Sequence, residues 1–396
     1  MLRWLSQIGA LTLFNLKTMT QRLGSVLAAL VGMAGVVLVL VFVLSIGQGF
    51  ARTMVATGSP SRAIVLRSGS DNEMMSALVR DESRILEQAP GVATGKAGAM
   101  VSPELFVIIN LPQAETGTDA NVPMRGVTAP AFEVHDEVEI VEGRPFAWGR
   151  NEVIVGRAAQ REFRGLGVGD TLRLGQNDWT VVGAFTARGS ATESEIWTDA
   201  ALLQAAYRRG NSFQSVKVGL ASEGSFQRFK DAVTSDPRLD VKVLRETEFY
   251  AGQSRAVNGI VIGLGAIISV LMGLGAVFGA LNTMYTAVAS RTREIATLRA
   301  LGFRRLPVIV SVLLESLVVA AIGGTLGALL AWAAFDGYQA ATMNWASFSQ
   351  VAFAFAVTPA LVVAGVAYAL MLGFVGGLLP AIRAARQPVA QGLREA

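Results

Sequence analysis

Few residues in this sequence have the type and spacing that chemistry requires. The chain has one histidine and no cysteine, so a metal site would lack further ligands of those types, and we expect His135 to be solvated. A nucleotide-binding P-loop needs two glycines at fixed separation, then a lysine and a hydroxyl residue. The Gly-Lys pair in GVATGKAG has Pro90 and Ala97 in place of the first glycine and the hydroxyl residue. We therefore expect no catalytic residues, no metal site and no cofactor site.

Two other features combine unusual residue types. Five arginines fall within Ser290–Arg305, which reads SRTREIATLRALGFRR and is called the arginine segment below. Glu315 lies in the apolar run that follows. A carboxylate in an apolar run is costly unless it faces protein, water or a partner, although near the end of a run it can also snorkel to the surface. The interpretation of the arginine segment and of Glu315 depends on the helices in which they lie.

The composition predicts a membrane protein. The chain is 52% hydrophobic and 16% charged, and four apolar runs reach the roughly 20 residues that a spanning helix needs. The first run is too long for a signal peptide and is interpreted as a retained anchor. The segment before it is either an amphipathic surface helix or the start of a core helix. The predicted segments are a cytoplasmic amphipathic N-terminal segment (1–23), a first span (24–45), an extracytoplasmic α+β domain (46–256), a second span (257–283), a cytoplasmic helix (284–307), a third span (308–335), a short extracytoplasmic loop (336–359), a fourth span (360–379) and a cytoplasmic tail (380–396).

The distribution of basic residues predicts the orientation. Lysine and arginine number 3 before the first span, 5 between the second and third, and 3 after the fourth, whereas the short loop has none. By the positive-inside rule both termini and the arginine segment are cytoplasmic. The insert holds 23 basic and 26 acidic residues, so the basic character belongs to the inner face and does not indicate nucleic-acid binding.

The insert is predicted to be α+β. One β-α unit near its start and one near its end are expected to form a small sheet, with a β-rich subdomain between them. Glycines predict turns at Gly167–Asp170 and Gly175–Asp178. Glu137 and Glu139 alternate on a predicted strand edge and are interpreted as a solvated face.

The arginine segment has more than one interpretation. It can serve topology alone, or rest on lipid as an interfacial helix. However, its good helix formers place Ile295, Leu298 and Leu301 on one helical face, and such an apolar stripe on a cytoplasmic loop predicts a docking partner. Gly302 and Pro307 are expected to end the segment before the third span.

The order of these features resembles the permease domain of the MacB/FtsX/LolC family of ABC transporters, the mechanotransmission type. The similar stretches are the arginine segment, GGTLGALLA, the ending PAIRAARQPVAQGLREA and, in the insert, GRPFAWGRNEVIVGRAAQREFRGLGVGDTLRLGQNDWTVVGAF. The resemblance implies four transmembrane helices with a Porter/Sabre-like domain between the first and second. It also implies that the arginine segment is the coupling helix that docks on the ATPase. The residues at that position are Arg291, Arg293, Glu294, Ile295, Leu298, Arg299 and Leu301.

The same resemblance implies partners. Because no P-loop is found, a separate cytoplasmic ABC ATPase would bind ATP and Mg²⁺, and the permease would work as a homodimer in lipids of the bacterial inner membrane. Export with a periplasmic membrane-fusion adaptor is the expected function. An FtsX-like signalling permease that activates a cell-wall hydrolase and a LolC-like lipoprotein-release permease are the alternatives.

Three glycine pairs at G-x-x-x-G spacing predict close helix contacts, within one subunit or between two. They are Gly275 and Gly279, Gly323 and Gly327, and Gly373 and Gly377.

Overall fold

The computed structural model describes residues 7–9, 11–13, 23–96, 98–174, 177–345 and 347–390. Most of the predicted N-terminal amphipathic segment, Gly175 and the end of the tail lie outside these ranges. Within them, four helices, α1, α7, α9 and α10, are long and apolar enough to cross a membrane. The helices are α1 (Leu23–Thr57), α2 (Arg80–Glu87), α3 (Ala131–Val134), α4 (Arg157–Glu162), α5 (Ala200–Ala206), α6 (Ser225–Thr234), α7 (Glu246–Ala289), α8 (Thr292–Ala300), α9 (Arg305–Phe335) and α10 (Pro359–Arg386).

Sixteen strands and two short 3-10 turns (Glu73–Met75 and Ala191–Ser194) lie between these helices. The strands are β1 (Arg62–Arg67), β2 (Leu78–Val79), β3 (Thr94–Gly95), β4 (Gly98–Ala99), β5 (Val101–Pro112), β6 (Asp119–Val127), β7 (Glu139–Gly143), β8 (Glu152–Gly156), β9 (Thr171–Leu174), β10 (Asn177–Thr186), β11 (Ile196–Asp199), β12 (Ser212–Phe213), β13 (Ser215–Gly219), β14 (Val241–Arg245), β15 (Gln339–Asn344) and β16 (Ser349–Ala354).

Two of the long helices extend past the predicted spans. Helix α1 continues beyond Ser45 to Thr57, and α7 begins at Glu246, well before Val257. The predicted bounds mark where the apolar composition ends. The hydrogen bonds of a helix join backbone groups and do not require apolar side chains, so a helix can continue beyond that point.

The chain divides into two compact units. The helical unit comprises residues 1–48, 260–338 and 355–396, and the sheet unit comprises 49–259 and 339–354. Helices α1 and α7 each run without a break through a unit boundary. The sheet unit contains nearly all of the insert predicted between the first and second spans.

One mixed sheet of ten strands forms the sheet unit. Its order is β14-β1-β13-β5-β6-β11-β8-β10-β7, with β9 beside β10. The pairs from β14 to β6 are antiparallel, whereas β6 with β11 and β8 with β10 are parallel. The first strand, β1, therefore lies between two strands from the far end of the insert. This arrangement joins the two β-α units into one sheet, as predicted.

Strand β5 belongs to both halves of this sheet. Residues 101–104 pair with β13, and residues 105–112 pair with β6. On the β13 side the core is covered by α2 and α6, through Leu86 and Phe229. On the other side Trp179 lies in a core covered by α4 and α5. The expected β-rich subdomain is therefore a continuation of the α/β sheet rather than a separate one.

The segment predicted as a short loop between the third and fourth spans forms an antiparallel hairpin. Strands β15 and β16 pair from Gln339 with Ala354 to Asn344 with Ser349. The hairpin clusters with the sheet unit, although the chain on either side of it belongs to the helical unit.

In the helical unit, small and branched side chains of α1, α9 and α10 form one core. Val37 and Ala328 are examples that are fully buried. Thr358 caps α10, accepting a hydrogen bond from Leu361 N at 3.3 Å, and Pro359 occupies the first turn, where a missing N–H costs nothing.

Candidate functional site

The arginine segment folds as a short helix between two long ones. Helix α8 follows α7 after two residues and ends before Gly302, which has φ of 99°. Glycine adopts this left-handed conformation without the steric cost of a Cβ, so the chain reverses here. Pro307 does not end the segment as expected. It lies in the first turn of α9, where proline is tolerated.

The apolar residues of α8 do not form one free stripe. Ile295 is 8% exposed and packs in a core with Val288 of α7, Val308 of α9 and Ala384 of α10. Leu298 is half-buried, whereas Leu301 is 74% exposed. The interpretation of all three residues as one docking surface is therefore wrong in its geometry. Ile295 fixes α8 to three long helices of its own unit, and Leu301, directly after α8, is the most exposed of the three residues.

The arginines likewise divide into two groups. Arg291 is buried, and its Nη1 lies 3.6 Å from an Oε of Glu315 in α9. Arg299 donates from Nη1 to the backbone carbonyl of Gln387, directly after α10. Arg293 and Glu294 are exposed. Arg291 and Arg299 thus hold the two ends of α8, while Arg293 and Glu294 point outward with Leu301.

Glu315 is 5% exposed. The nearby guanidinium of Arg291 explains why a carboxylate lies in an apolar run, because a charged group is stable in the interior only beside an opposite charge. Glu315 thus faces protein rather than snorkelling to the surface.

The glycine pairs play different parts. A Cβ at Gly327 would lie 2.3 Å from the carbonyl oxygen of Ala34 in α1, and one at Gly373 would lie 2.5 Å from Cβ of Ala320 in α9. Gly323 and Gly377 are similarly tight against α1 and α9. These two pairs therefore pack helices within the chain.

The third pair is open. A Cβ at Gly275 or Gly279 would meet no described atom within 4 Å. Both glycines line a cavity of about 420 Å³ between α1, α7, α9 and α10, whose polar groups include Asn282 and Glu315. Among the described residues, Gly275 and Gly279 therefore border the cavity and do not bring two helices into close contact.

A second group of functional residue types, missed in the sequence, is buried in the sheet unit. Arg62 donates from Nε to Glu246 at 2.5 Å and from Nη2 to Glu137 at 3.2 Å. Lys217 Nζ donates to Glu246 at 2.8 Å and to the hydroxyl of Tyr250 at 2.8 Å. Glu246 is the first residue of α7, so this cluster ties the start of that helix to β1 and β13.

Arg125 forms the other half of the buried cluster. Its guanidinium donates to Glu73 at 2.8 Å, to Glu104 at 2.9 Å and to Glu195 at 2.7 Å. Arg125 and Lys217 each lie within a buried apolar strand. A charged residue inside such a strand was the available signal, because burial of a charge requires a partner.

His135 joins the two halves. Its Nε2 lies 2.8 Å from Glu104 and its Nδ1 lies 3.5 Å from Glu137. The expectations that His135 and Glu137 are solvated are wrong, since they are 2% and 6% exposed, whereas Glu139 is exposed as expected.

In this cluster, burial and the neighbouring charges shift the pKa of His135 and of Glu104 in opposite directions. Burial alone would lower the pKa of His135, but the carboxylate of Glu104 outweighs burial and raises it. Burial would also raise the pKa of Glu104, but the charges of His135 and Arg125 hold it below its ordinary value. The cluster therefore favours charged carboxylates around a protonated imidazole. Within the described ranges, no group of three or more His, Asp or Glu side chains is placed to hold a metal ion.

Comparison with curated proteins finds transporter relatives. The chain is 27% identical over 267 residues to the pyoverdine export ATP-binding/permease protein PvdT of Pseudomonas entomophila, covering 62% of this chain and 39% of that protein. It is 23% identical over 400 residues to the macrolide export ATP-binding/permease protein MacB of Bdellovibrio bacteriovorus, covering 93% and 58%. The chain thus spans about half the length of these relatives.

Two solved structures resemble part of the chain. The periplasmic region of MacB from Actinobacillus actinomycetemcomitans matches 49% of this chain and 92% of its own, with 11% identity and a TM-score of 0.36. The extracellular domain of the transporter YknZ from Gram-positive bacteria matches 46% and 99%, with 14% identity and a TM-score of 0.34.

Two family models match the chain in succession. The MacB-like periplasmic core domain matches residues 25–236, more than half of the chain. The FtsX-like permease C-terminal model matches residues 266–389, which include α8, α9 and α10. The order of the models agrees with one long helix, a sheet unit and three further long helices. The chain therefore belongs to the MacB/FtsX-like family of ABC transporter permeases and is a multi-pass membrane protein.

Proposed function

We propose that this chain is a non-catalytic permease subunit that transmits ATP-driven motion from a separate cytoplasmic ATPase to its sheet unit, which lies outside the inner membrane. ATP and Mg²⁺ bind to the ATPase, and the permease works as a homodimer with both termini in the cytoplasm. The observation that carries the proposal is the set of contacts that attach α8 to the long helices. Arg291 and Arg299 attach the two ends of α8, and Ile295 attaches its buried face. A displacement of α8 by the ATPase would therefore be transmitted to α7, α9 and α10 together.

The outward face of α8 has the composition of a small docking site. It presents Leu301 with Arg293 and Glu294 beside it. A buried apolar anchor contributes about 1.5–3 kcal/mol, whereas an exposed charge pair contributes about 1 kcal/mol or less. We therefore assign the main contact with the ATPase to Leu301.

Substitution of Leu301 tests this assignment. We expect Leu301→Asp to insert normally in the membrane but to bind the ATPase roughly ten- to a hundredfold more weakly, since an anchor of about 1.5–3 kcal/mol is lost. The measurement is co-purification of an ABC ATPase with the tagged chain from native membranes, followed by titration of the purified subunits.

Two further variants control the experiment. Arg293→Ala should bind almost normally, because it removes one exposed charge. Leu301→Met should also bind normally, because it keeps an apolar side chain of similar size. Undiminished binding by Leu301→Asp would contradict the docking role of α8 and leave the arginine segment as a topology signal.

Export is the direction of transport that we propose, with a periplasmic membrane-fusion adaptor as partner. The names of the PvdT and MacB relatives, which denote export proteins, support this choice. Identification of the proteins that co-purify with the sheet unit tests it. An adaptor would support export, whereas a cell-wall hydrolase or a lipoprotein carrier would contradict it.

A further inference from the structure

The β15–β16 hairpin places one face against the sheet unit. Alternate residues of β16, namely Ser349, Val351 and Phe353, are 1%, 4% and 5% exposed. Because side chains alternate across a strand, this pattern marks one buried face along the whole strand. The hairpin is therefore packed along its length and is not a free loop.

The buried face of the hairpin contacts the two helices that continue into the helical unit. The ring of Phe353 lies edge-on to that of Phe50 near the C-terminal end of α1, with centroids 5.6 Å apart. Asn344 Nδ2 donates to Gln253 Oε1 in the first turns of α7 at 2.9 Å. The hairpin thus touches both helices within the sheet unit.

The sheet itself holds the hairpin at further points. The backbone N–H of Ala352 donates to Ser194 Oγ at 3.0 Å, and Asn121 of β6 donates from Nδ2 to the carbonyl of Phe348 at 2.7 Å. The 3-10 turn that ends at Ser194 is bound at its other end to α1, because Ala191 N donates to Thr57 Oγ1 at 2.8 Å. One short turn therefore contacts both the hairpin and α1.

Separation of the hairpin would be costly. Asn344 and Gln253 are 2% and 9% exposed, and separation would replace their buried hydrogen bond by hydrogen bonds to water, with the loss of its net contribution to stability. Val351 and Phe353 would also return to water. Buried polar contacts that depend on exact geometry favour one bound position.

We propose that the β15–β16 hairpin is a permanent clasp, which stays bound to α1, α7 and the sheet throughout the working cycle. The third and fourth long helices, α9 and α10, are joined to the two ends of the hairpin by short connections. They act on the sheet unit through these two strands, in parallel with α1 and α7. The reference to a working cycle rests on the proposed function, whereas the bound state of the hairpin does not.

A reducible cross-link tests the clasp, because the natural chain has no cysteine. In the double variant Arg161→Cys/Gln339→Cys, whose natural side chains are exposed and joined by a hydrogen bond of 2.9 Å between α4 and β15, a short bis-methanethiosulfonate reagent should link the two positions nearly completely in the isolated full-length chain. With the ATPase added, the linking rate should be the same with and without ATP turnover. The linked complex should hydrolyse ATP within about twofold of the same sample after reduction.

Two results would overturn the proposal. Absence of a link in the isolated chain would show that the hairpin is not bound there. A loss of ATPase activity of tenfold or more, restored by reduction, would show that the hairpin must release. If no ATPase associates, the proposed function fails, but the linking yield still decides whether the hairpin is bound. The two single-cysteine variants control for the labelling itself.

A loosening variant gives an independent readout. Asn344→Ala should speed hydrogen exchange of the β15 and β16 amides at least tenfold in the full chain. The matched control is Gln350→Ala, since Gln350 is only half-buried on the opposite face of β16. Equal exchange in the two variants would contradict the assignment of Asn344 as a positioning residue of the clasp.

Discussion

His135 shows how single residues set the stability of the sheet unit. Its imidazole lies between Glu104 and Glu137, and burial removes water from all three groups. The pKa of His135 is raised in the folded chain. Its contribution to stability is therefore complete below the unfolded pKa of about 6.5 and is lost as the pH rises through the folded value.

Substitution of His135 should show this pH dependence. We expect His135→Gln to lower the free energy of unfolding by about 1–3 kcal/mol near pH 6, because hydrogen bonds to charged groups are lost. The deficit should shrink at alkaline pH, where wild-type His135 also loses its charge. Tryptophan fluorescence of the full chain can report the unfolding, since the ring of Trp197 lies 5.0 Å from that of His135.

An exposed carboxylate provides the control for this variant. Glu139→Gln should change the stability by no more than about 0.5 kcal/mol. A deficit of His135→Gln that grows as the pH rises would show that the imidazole is not charged in the folded chain.

At the scale of elements, composition and apolar length predicted the four long helices, and the β-α patterns predicted the sheet. The sequence did not predict where the long helices end, because the residues that extend α1 and α7 mix polar with apolar types, so the uniformly apolar run stops before the helix does. It also did not predict the hairpin, although Ser349, Val351 and Phe353 alternate along β16. That signal is short, and a β-strand of this length cannot be identified without knowing what covers it.

The arginine segment shows the same limit for the candidate site. Helical periodicity correctly placed a helix there, but periodicity cannot tell a face that contacts the same chain from one that contacts a partner. The burial of Ile295 and Arg291 depends on how α7, α9 and α10 pack around α8, which the periodicity of α8 alone does not contain. The ATPase-coupling role itself stays a prediction.

Gly327 and Gly279 differ in the space that surrounds them within the described chain. Gly327→Leu should destabilise the full chain by about 1–3 kcal/mol or prevent its folding, because its Cβ would collide with the backbone of Ala34. Gly279→Leu should keep the thermal stability, since it points into open space within the described chain. Its side chain should occupy part of the cavity between α1, α7, α9 and α10 and leave the proposed homodimer intact.

Thermal unfolding measures the stability of Gly327→Leu, and light scattering of the detergent-solubilised chain measures the dimerisation of Gly279→Leu. A dimer weakened by Gly279→Leu would show that this face of α7 contacts a second copy instead. A normally stable Gly327→Leu would contradict the close approach of α1 and α9.

For the whole molecule, the orientation of the two units is the prediction with the widest consequence. Single cysteines at Ser222 in the sheet unit and at Ser290 in the arginine segment, both exposed, should be labelled from opposite sides of the membrane. An impermeant thiol reagent on cells with a permeabilised outer membrane should modify only the cysteine at 222. Labelling of both positions would show that the positive-inside interpretation is wrong.

The pairing of β1 with β13 and β14 has a consequence for the synthesis of this protein. Ala63 pairs with Arg245, and α7 begins at the next residue, Glu246. A nascent chain therefore cannot complete its sheet until the ribosome reaches the second apolar helix. Contacts so distant in sequence form slowly. Until then Ile64 and its apolar neighbours lie on an unpaired strand that can pair wrongly with other chains. We therefore expect the interval between the synthesis of β1 and that of β14 to be the period when this chain is most prone to aggregate.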